Sequence, residues 1–262
     1  MINLLSMGYT RLFKSLAFRI STVIMAVLPV IAVLFNYFDS KAEKVPQDGV
    51  YNIGLYLIWL LIGSFVSMFV GQDYDEKTIG NKIMAGHSRA SVYLADYIVT
   101  LSGAVLMHTA AFITATALSV PLFGMYTEPL GDILLSQTVV LGIIAVYTAV
   151  VLFITTLVTS KLYAQGVSMA AVLALFITGN SVYDKVTKLR IKAEKEDIAV
   201  TELVEKNSMT DILYNAIPQS QADIIMEGGV PENAAKMFCI DISAMTVITA
   251  AGLLVFGRKD IK

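Results

Sequence analysis

Four long stretches of this chain contain no Asp, Glu, Lys or Arg, and they constrain its fold more than any other feature. They are Ile53–Val70, Tyr97–Phe123, Ile133–Thr159 and Leu162–Tyr183. Two more apolar runs of similar length flank them, Ile20–Phe38 and Met237–Phe256. A bilayer core about 30 Å thick is crossed by roughly 20 apolar helical residues. Inside lipid every backbone N–H and C=O must be satisfied within the protein, which leaves helices or closed barrels. A barrel would show short alternating segments, and none occur. The expectation is an all-α integral membrane protein with six transmembrane helices. Composition agrees: 56% of residues are hydrophobic and 15% charged, against about 45–50% and about 25% in soluble domains. A disordered chain is excluded by this hydrophobicity, and a disulfide scaffold by the single Cys239. A net charge of -2 gives no basic footprint for nucleic acid.

Orientation follows from the Lys and Arg near the span ends. Arg11, Lys14, Arg19, Lys77, Lys82, Arg89, Lys161, Arg258, Lys259 and Lys262 fall on one side. The short loops opposite hold Lys41 and Lys44. Both termini are therefore expected in the cytoplasm, and residues 184–236 outside. Ahead of the first span, Leu5, Tyr9, Leu12, Phe13, Leu16 and Ile20 recur at helical spacing, with Arg11, Lys14 and Ser15 opposite. This pattern predicts an amphipathic helix over residues 1–19, lying on the inner leaflet. A plain extension of the first span is the alternative. No small-residue cleavage site marks a signal peptide, so the first span is read as retained.

The polar segment 72–91, between spans 2 and 3, is the most informative part of the sequence. A short helix around Asp75–Met84 is expected, followed by a second beginning near Ser88, a natural N-cap. On composition alone a solvated connector is an equal reading. The outer segment divides in two. Lys185–Lys206, with Leu189, Ile198 and Leu203, reads as an exposed amphipathic helix. Ser208–Met226 is more apolar, is interrupted by Pro218 and ends before Gly228-Gly229, and is expected to cap the bundle or lie at the outer interface.

Chemistry is sparse. No phosphate-binding loop, metalloprotease helix or nucleophile elbow occurs. The histidines, His87 and His108, are far apart in topology, and no metal site is expected. His108 reads as a hydrogen-bonded packing residue ahead of a proton relay. Asp241, near the outer end of span 6, reads as a structural carboxylate ahead of a substrate contact. Gly63, Ser67 and Gly71 form a small-residue stripe, suited equally to packing within the bundle or to a dimer seam. No catalytic residue is expected.

The residues Glu76-Lys77-Thr78-Ile79, Asn81-Lys82, Gly86, Ser88-Arg89 and Tyr93 resemble a segment of the permease subunits of ABC-2 type ABC transporters. The ending Phe256-Gly257-Arg258-Lys259-Asp260-Ile261-Lys262 is similar to their common C-terminus, and the layout of six spans with a large outer segment before the last also matches. The resemblance implies that residues 1–262 form one transmembrane domain and that segment 72–91 is a coupling helix. That helix would dock on a separate ATPase subunit through Asp75, Glu76, Lys77, Thr78, Asn81, Lys82 and Arg89. It implies a second permease chain, identical or related, and ATP with magnesium on the partner ATPase rather than here. The expected function is efflux across a bacterial plasma membrane. Composition adds a path lined by Tyr56, Ser64, Met68, Ser168 and Phe176, and an amphipathic or hydrophobic cargo such as a peptide or drug. The rival readings are an ion-gradient-driven secondary transporter, which would want intramembrane carboxylates near the midplane, and a membrane sensor or assembly protein using the outer segment.

Overall fold

The structure, a computed structural model, describes residues 1–39, 47–158, 160–196, 208–227, 231 and 233–259. Lys41, Lys44, Thr159, Ile198, Leu203, Gly228, Gly229 and the final Asp260-Ile261-Lys262 lie outside the described residues. The described residues are helical and contain no strand.

In chain order the helices are α1 (Ile2–Lys14), α2 (Leu16–Phe38), α3 (Leu55–Asp75), α4 (Thr78–Met84), α5 (Arg89–Phe123), α6 (Leu130–Leu157), α7 (Lys161–Glu196), α8 (Ser208–Ala216), α9 (Pro218–Met226) and α10 (Ala234–Arg258). Helices α2, α3, α5, α6, α7 and α10 are the six long and apolar enough to cross a membrane. They contain the six apolar runs of the sequence apart from Ile53, Gly54, Val158 and Thr159 at their ends. Their outward faces stay apolar, with Val23, Val27, Ile31 and Phe35 on α2, Tyr163, Val167 and Ile177 on α7, and Val247 and Leu254 on α10 exposed. Apolar surface on this scale suits lipid rather than water. Six such helices are compatible with a multi-pass membrane protein.

Helices α3 and α6 are the most enclosed spans. Helix α6 packs most extensively against α10 and also against α3, while α3 lies along α7, and α2 lies along α5. The close approach of α3 and α7 depends on the small-residue stripe. A Cβ on Gly63 would meet Val172 Cγ2 at 2.9 Å, and one on Gly71 would meet the Lys161 Cα at 3.1 Å. Ser67 between them is fully buried and donates to the Gly63 carbonyl at 2.6 Å. The stripe is thus occupied by α7 of the same chain, and it is not an open seam for a second copy.

Helix α1 and the Arg258 end of α10 lie at one end of the bundle, together with α4, the Asp75 end of α3 and the Lys161 end of α7. Helix α1 is not an extension of the first span. Ser15 adopts an extended conformation (φ -64, ψ 126) and its side chain accepts from the Phe18 N–H, capping α2. Leu4 and Leu12 of α1 are buried, and Tyr9 Oη bonds to Ser102 Oγ at 2.9 Å. At the opposite end, Asp48 accepts from the Thr127 N–H at 2.8 Å, and Tyr51 donates to Glu128.

Helix α9 is buried against the bundle, while α8 keeps Met209, Ile212 and Leu213 exposed. Pro218, Gln219, Ser220, Gln221, Ala222 and Ile225 are buried between α6, α7 and α10. A Cβ on Gly179 would stand 2.5 Å from Gln219 Cβ, so α9 meets α7 at the middle of that helix. The segment expected to cap the bundle or lie at the outer interface is a helical hairpin whose second helix packs against α6 and α7. The apolar content of Ser208–Met226 reads equally well as surface or as core; Gly179 of α7 opens the space that Gln219 fills. Residues 184–196, expected within a separate helix starting at Lys185, continue α7 without a break.

Candidate functional site

The turn from α3 through α4 to α5 gathers most of the charge at the end that carries α1. Helix α3 runs to Asp75, further than the sequence pattern suggests, and Lys77 then breaks it with a left-handed backbone (φ 55). Helix α4 accordingly starts at Thr78 and not at Asp75. Gly86, also at positive φ (88), turns the chain back. Ser88 caps α5, its Oγ accepting from the Ser91 N–H at 3.1 Å.

Beneath this turn lies a buried ionic cluster centred on Asp73, a residue the sequence did not single out. Arg11 of α1 pairs with Asp73 Oδ1, donates to the Phe69 carbonyl at 3.2 Å and stacks 4.0 Å over the Phe69 ring. Thr78 Oγ1 donates to Asp73 Oδ1 at 2.7 Å. Lys82 Nζ reaches Asp73 Oδ2 at 2.7 Å and Asp96 Oδ1 at 3.4 Å. Four elements, α1, α3, α4 and α5, meet on one carboxylate. Charges removed from water hold together only when paired and hydrogen-bonded, and here each cation has an acidic partner. Beside the cluster is a cavity of about 450 Å³, lined by Leu4, Met7, Arg11, Lys82, Val92 and Asp96 among others.

This geometry divides the residues expected to face an ATPase. Lys82 and Thr78 turn inward to Asp73, and Arg11 does not take the polar face of α1. Asp75 accepts from the Lys161 N–H at 3.0 Å, bracing α3 against α7. Arg89 donates to the carbonyls of Phe256, Gly257 and Lys259 at 3.4, 3.1 and 2.5 Å, closing the end of α10. Lys259 donates to the Thr156 carbonyl and lies 4.4 Å over the Tyr74 ring; burial holds its ammonium below the usual lysine range. Glu76, Lys77 and Asn81 remain outward, joined by Met84, which is 79% exposed. Sequence spacing placed all seven on one short segment, but which of them pair internally depends on Asp73, Asp96 and the C-terminus.

The residues expected to line a path also separate. Tyr56, Ser64 and Met68, spaced by eight and four residues, lie on the one stripe of α3 that is incompletely covered. Phe176 stacks on Trp59 with ring centroids 4.4 Å apart at the edge of that stripe. Ser168 is completely buried, so it lines no open surface in this conformation.

Two polar groupings lie in the opposite half of the bundle. His108 Nε2 donates to Gln137 Oε1 at 2.7 Å, and Gln137 Nε2 donates to Asn52 Oδ1 at 2.8 Å, tying α5 to α6 and to the turn before α3. The second grouping surrounds the α8–α9 hairpin. Tyr147 Oη approaches Gln219 Oε1 at 3.5 Å, and Gln219 Nε2 donates to Asp223 at 2.7 Å. Gln221 Nε2 donates to Asp241 Oδ1 at 3.1 Å. Asp241 is 1% exposed. Asp223 lies outside the six spans, facing Asp184 and Glu227; burial and these like charges push its carboxyl up to about 6. Cys239 is exposed. Among the described residues no His, Cys, Asp and Glu group together as metal ligands would.

No family model, no curated protein and no solved structure matches the chain.

Proposed function

We propose that this chain is the membrane-spanning permease of an ATP-driven exporter of the ABC-2 type. It would work in a bacterial plasma membrane with both termini in the cytoplasm and α1 on the inner leaflet. The reading rests on the sequence resemblance. The observation that carries it furthest is the braced turn between α3 and α5. Glu76, Lys77, Asn81 and Met84 form a small exposed tip with charge and one large apolar side chain, which suits docking of a soluble partner. Behind the tip, the Arg11–Asp73–Lys82–Asp96 cluster makes α4 rigid with α1, α3 and α5. A force applied to the tip would move two spans together, as a rigid-body transition between packed states requires. The partner ATPase would bind ATP and magnesium; this chain would break no bonds. A second permease, identical or related, would face the uncovered stripe Tyr56–Ser64–Met68, with the cargo, an amphipathic peptide or drug-like molecule, moving between the two.

The test is recovery of the chain from its native membrane in mild detergent, with partners identified by mass spectrometry. A co-purifying subunit with a phosphate-binding loop, lost from a variant combining Glu76→Ala with Met84→Asp, supports the reading. Recovery of the chain without such a subunit under several gentle conditions overturns it.

An ion-driven secondary transporter is the second reading, favoured by one observation. Asp241 is buried beside the α8–α9 hairpin, and short helices entering a bundle beside an ionisable group are a feature of such transporters. Transport that persists without ATP and collapses with the ion gradient would select it.

A further inference from the structure

Gln221 and Asp241 share one hydrogen bond, and each keeps one oxygen without a donor. The Gln221 amide cannot be turned around, because its nitrogen also donates to the Asn215 carbonyl at 2.8 Å, and a carbonyl only accepts. The nitrogen spends both hydrogens, on that carbonyl and on Asp241 Oδ1. Two acceptors are left with no donor, Gln221 Oε1 and Asp241 Oδ2. Both residues are at least 99% buried, Gln221 at 0% exposure and Asp241 at 1%. A carboxylate here would have one amide N–H and no cation to offset its loss of water.

We propose that Asp241 and Gln221 form a buried proton-binding site, in which a proton on Asp241 Oδ2 bonds to Gln221 Oε1 and completes a cyclic acid–amide pair between α10 and the α8–α9 hairpin. One hydrogen satisfies both orphaned oxygens, and the site becomes neutral. A metal cation suits the site poorly. Hard cations take about six or more oxygens, no cluster of acidic ligands is present among the described residues, and Gly142 closes on Oδ2 so tightly that a Cβ there would stand 2.5 Å from it. Loss of the proton would remove one bond and leave a charge against α6, loosening the hairpin from the last span.

The ionisable groups on the surrounding elements are engaged elsewhere. Tyr147 of α6 faces Gln219, and Lys185 of α7 donates to Thr210 at 3.3 Å. Asp211 of α8 stands 3.9 Å from Lys236 of α10, both partly exposed. Asp223 of α9 bonds to Gln219, with Asp184 of α7 and Glu227 beyond it. Asp223 is the other acidic residue of α9, so it is neutralised in the test.

The full chain carrying Asp223→Asn is reconstituted in lipid nanodiscs. Infrared spectra at about pH 6 are expected to show a protonated-acid carbonyl band that shifts on 13C-aspartate labelling and is absent when Asp241→Asn is added. Raising the pH to about 9 removes the band and lowers hydrogen-exchange protection of residues 208–226 by about tenfold or more, corrected for the intrinsic rate. Asn at 241 keeps both bonds to Gln221, so the double variant folds and stays protected at both pH values. Absence of an Asp241-dependent acid band overturns the proposal. So does a band that sodium removes at fixed pH, which would make the site one for a metal cation, and so does protection that falls equally in both variants. These readouts involve no ATPase and no transport, so the site stands or falls apart from the exporter reading.

Discussion

Asp73 is the residue on which the braced turn depends, and its partners make its removal asymmetric. Asp73→Asn leaves Arg11 and the largely buried Lys82 short of an anion. Removing one partner of a buried charge pair costs about 3–5 kcal/mol, and some of that is recovered here because Asp96 still faces Lys82. The expected loss is about 2–4 kcal/mol, visible as a lower unfolding midpoint in detergent. Lys82→Met in the same background should restore part of the loss, because it removes the stranded charge. At Gly142 the constraint is steric. Gly142→Ala drives a methyl group into Asp241 and should cost about 1–3 kcal/mol, with exchange increasing in residues 208–226 before the rest of the chain. Asp223 has the opposite sign to an ordinary paired carboxylate. Its folded pKa of about 6 lies above the unfolded value, so its contribution is full below about pH 4 and is lost as pH rises through about 6. Asp223→Asn should therefore stabilise the hairpin at pH 8 and make no difference at pH 3.

At the level of single elements, α4 shows how a short helix gains a fixed position. Seven residues, Thr78–Met84, are too few to be stable alone in water. Lys77 sets its direction through a left-handed backbone, which costs a non-glycine residue about 1 kcal/mol. Lys77→Gly should raise stability by about 0.5–1 kcal/mol while removing an outward charge. On the coupling reading it would weaken partner binding without loosening the turn. Calorimetry and pull-down on the same variant separate the two effects. The six spans were legible as elements because charge-free runs of this length have one solution in lipid. Ser88 as a cap was legible too, since a hydroxyl before a long apolar run satisfies the first free N–H groups. The break at Ser15 was left open between two readings, because Arg11 and Lys14 fit either a surface helix or an extended span. Burial of Arg11 on Asp73 is a long-range pairing with no local trace.

Across the whole molecule, two clusters sit at opposite ends of the same bundle. The ionic cluster joins α1, α3, α4 and α5 at the Asp75 end of α3, and Arg89 and Lys259 tie α10 to α5 and α6 there. The hairpin α8–α9 joins α6, α7 and α10 at the other end. Helix α6 takes part in both halves, through Thr156 at one end and Gly142 near its middle. Arg89→Gln should free the last turn of α10 and raise cleavage of the C-terminal tail by added protease, with the hairpin unaffected. The sequence by itself determined the number of apolar spans and the short helix between two of them. These follow from local composition, because lipid tolerates neither open backbone nor unpaired charge. Only the tertiary structure decided that Lys82, Thr78 and Arg89 face inward, that the small-residue stripe on α3 is filled by α7, and that Pro218–Met226 packs against the bundle beside Asp241. Each of these depends on partners far apart in the chain, and a charge or a glycine carries the same signature whether its partner is a neighbouring helix, a second protein or water.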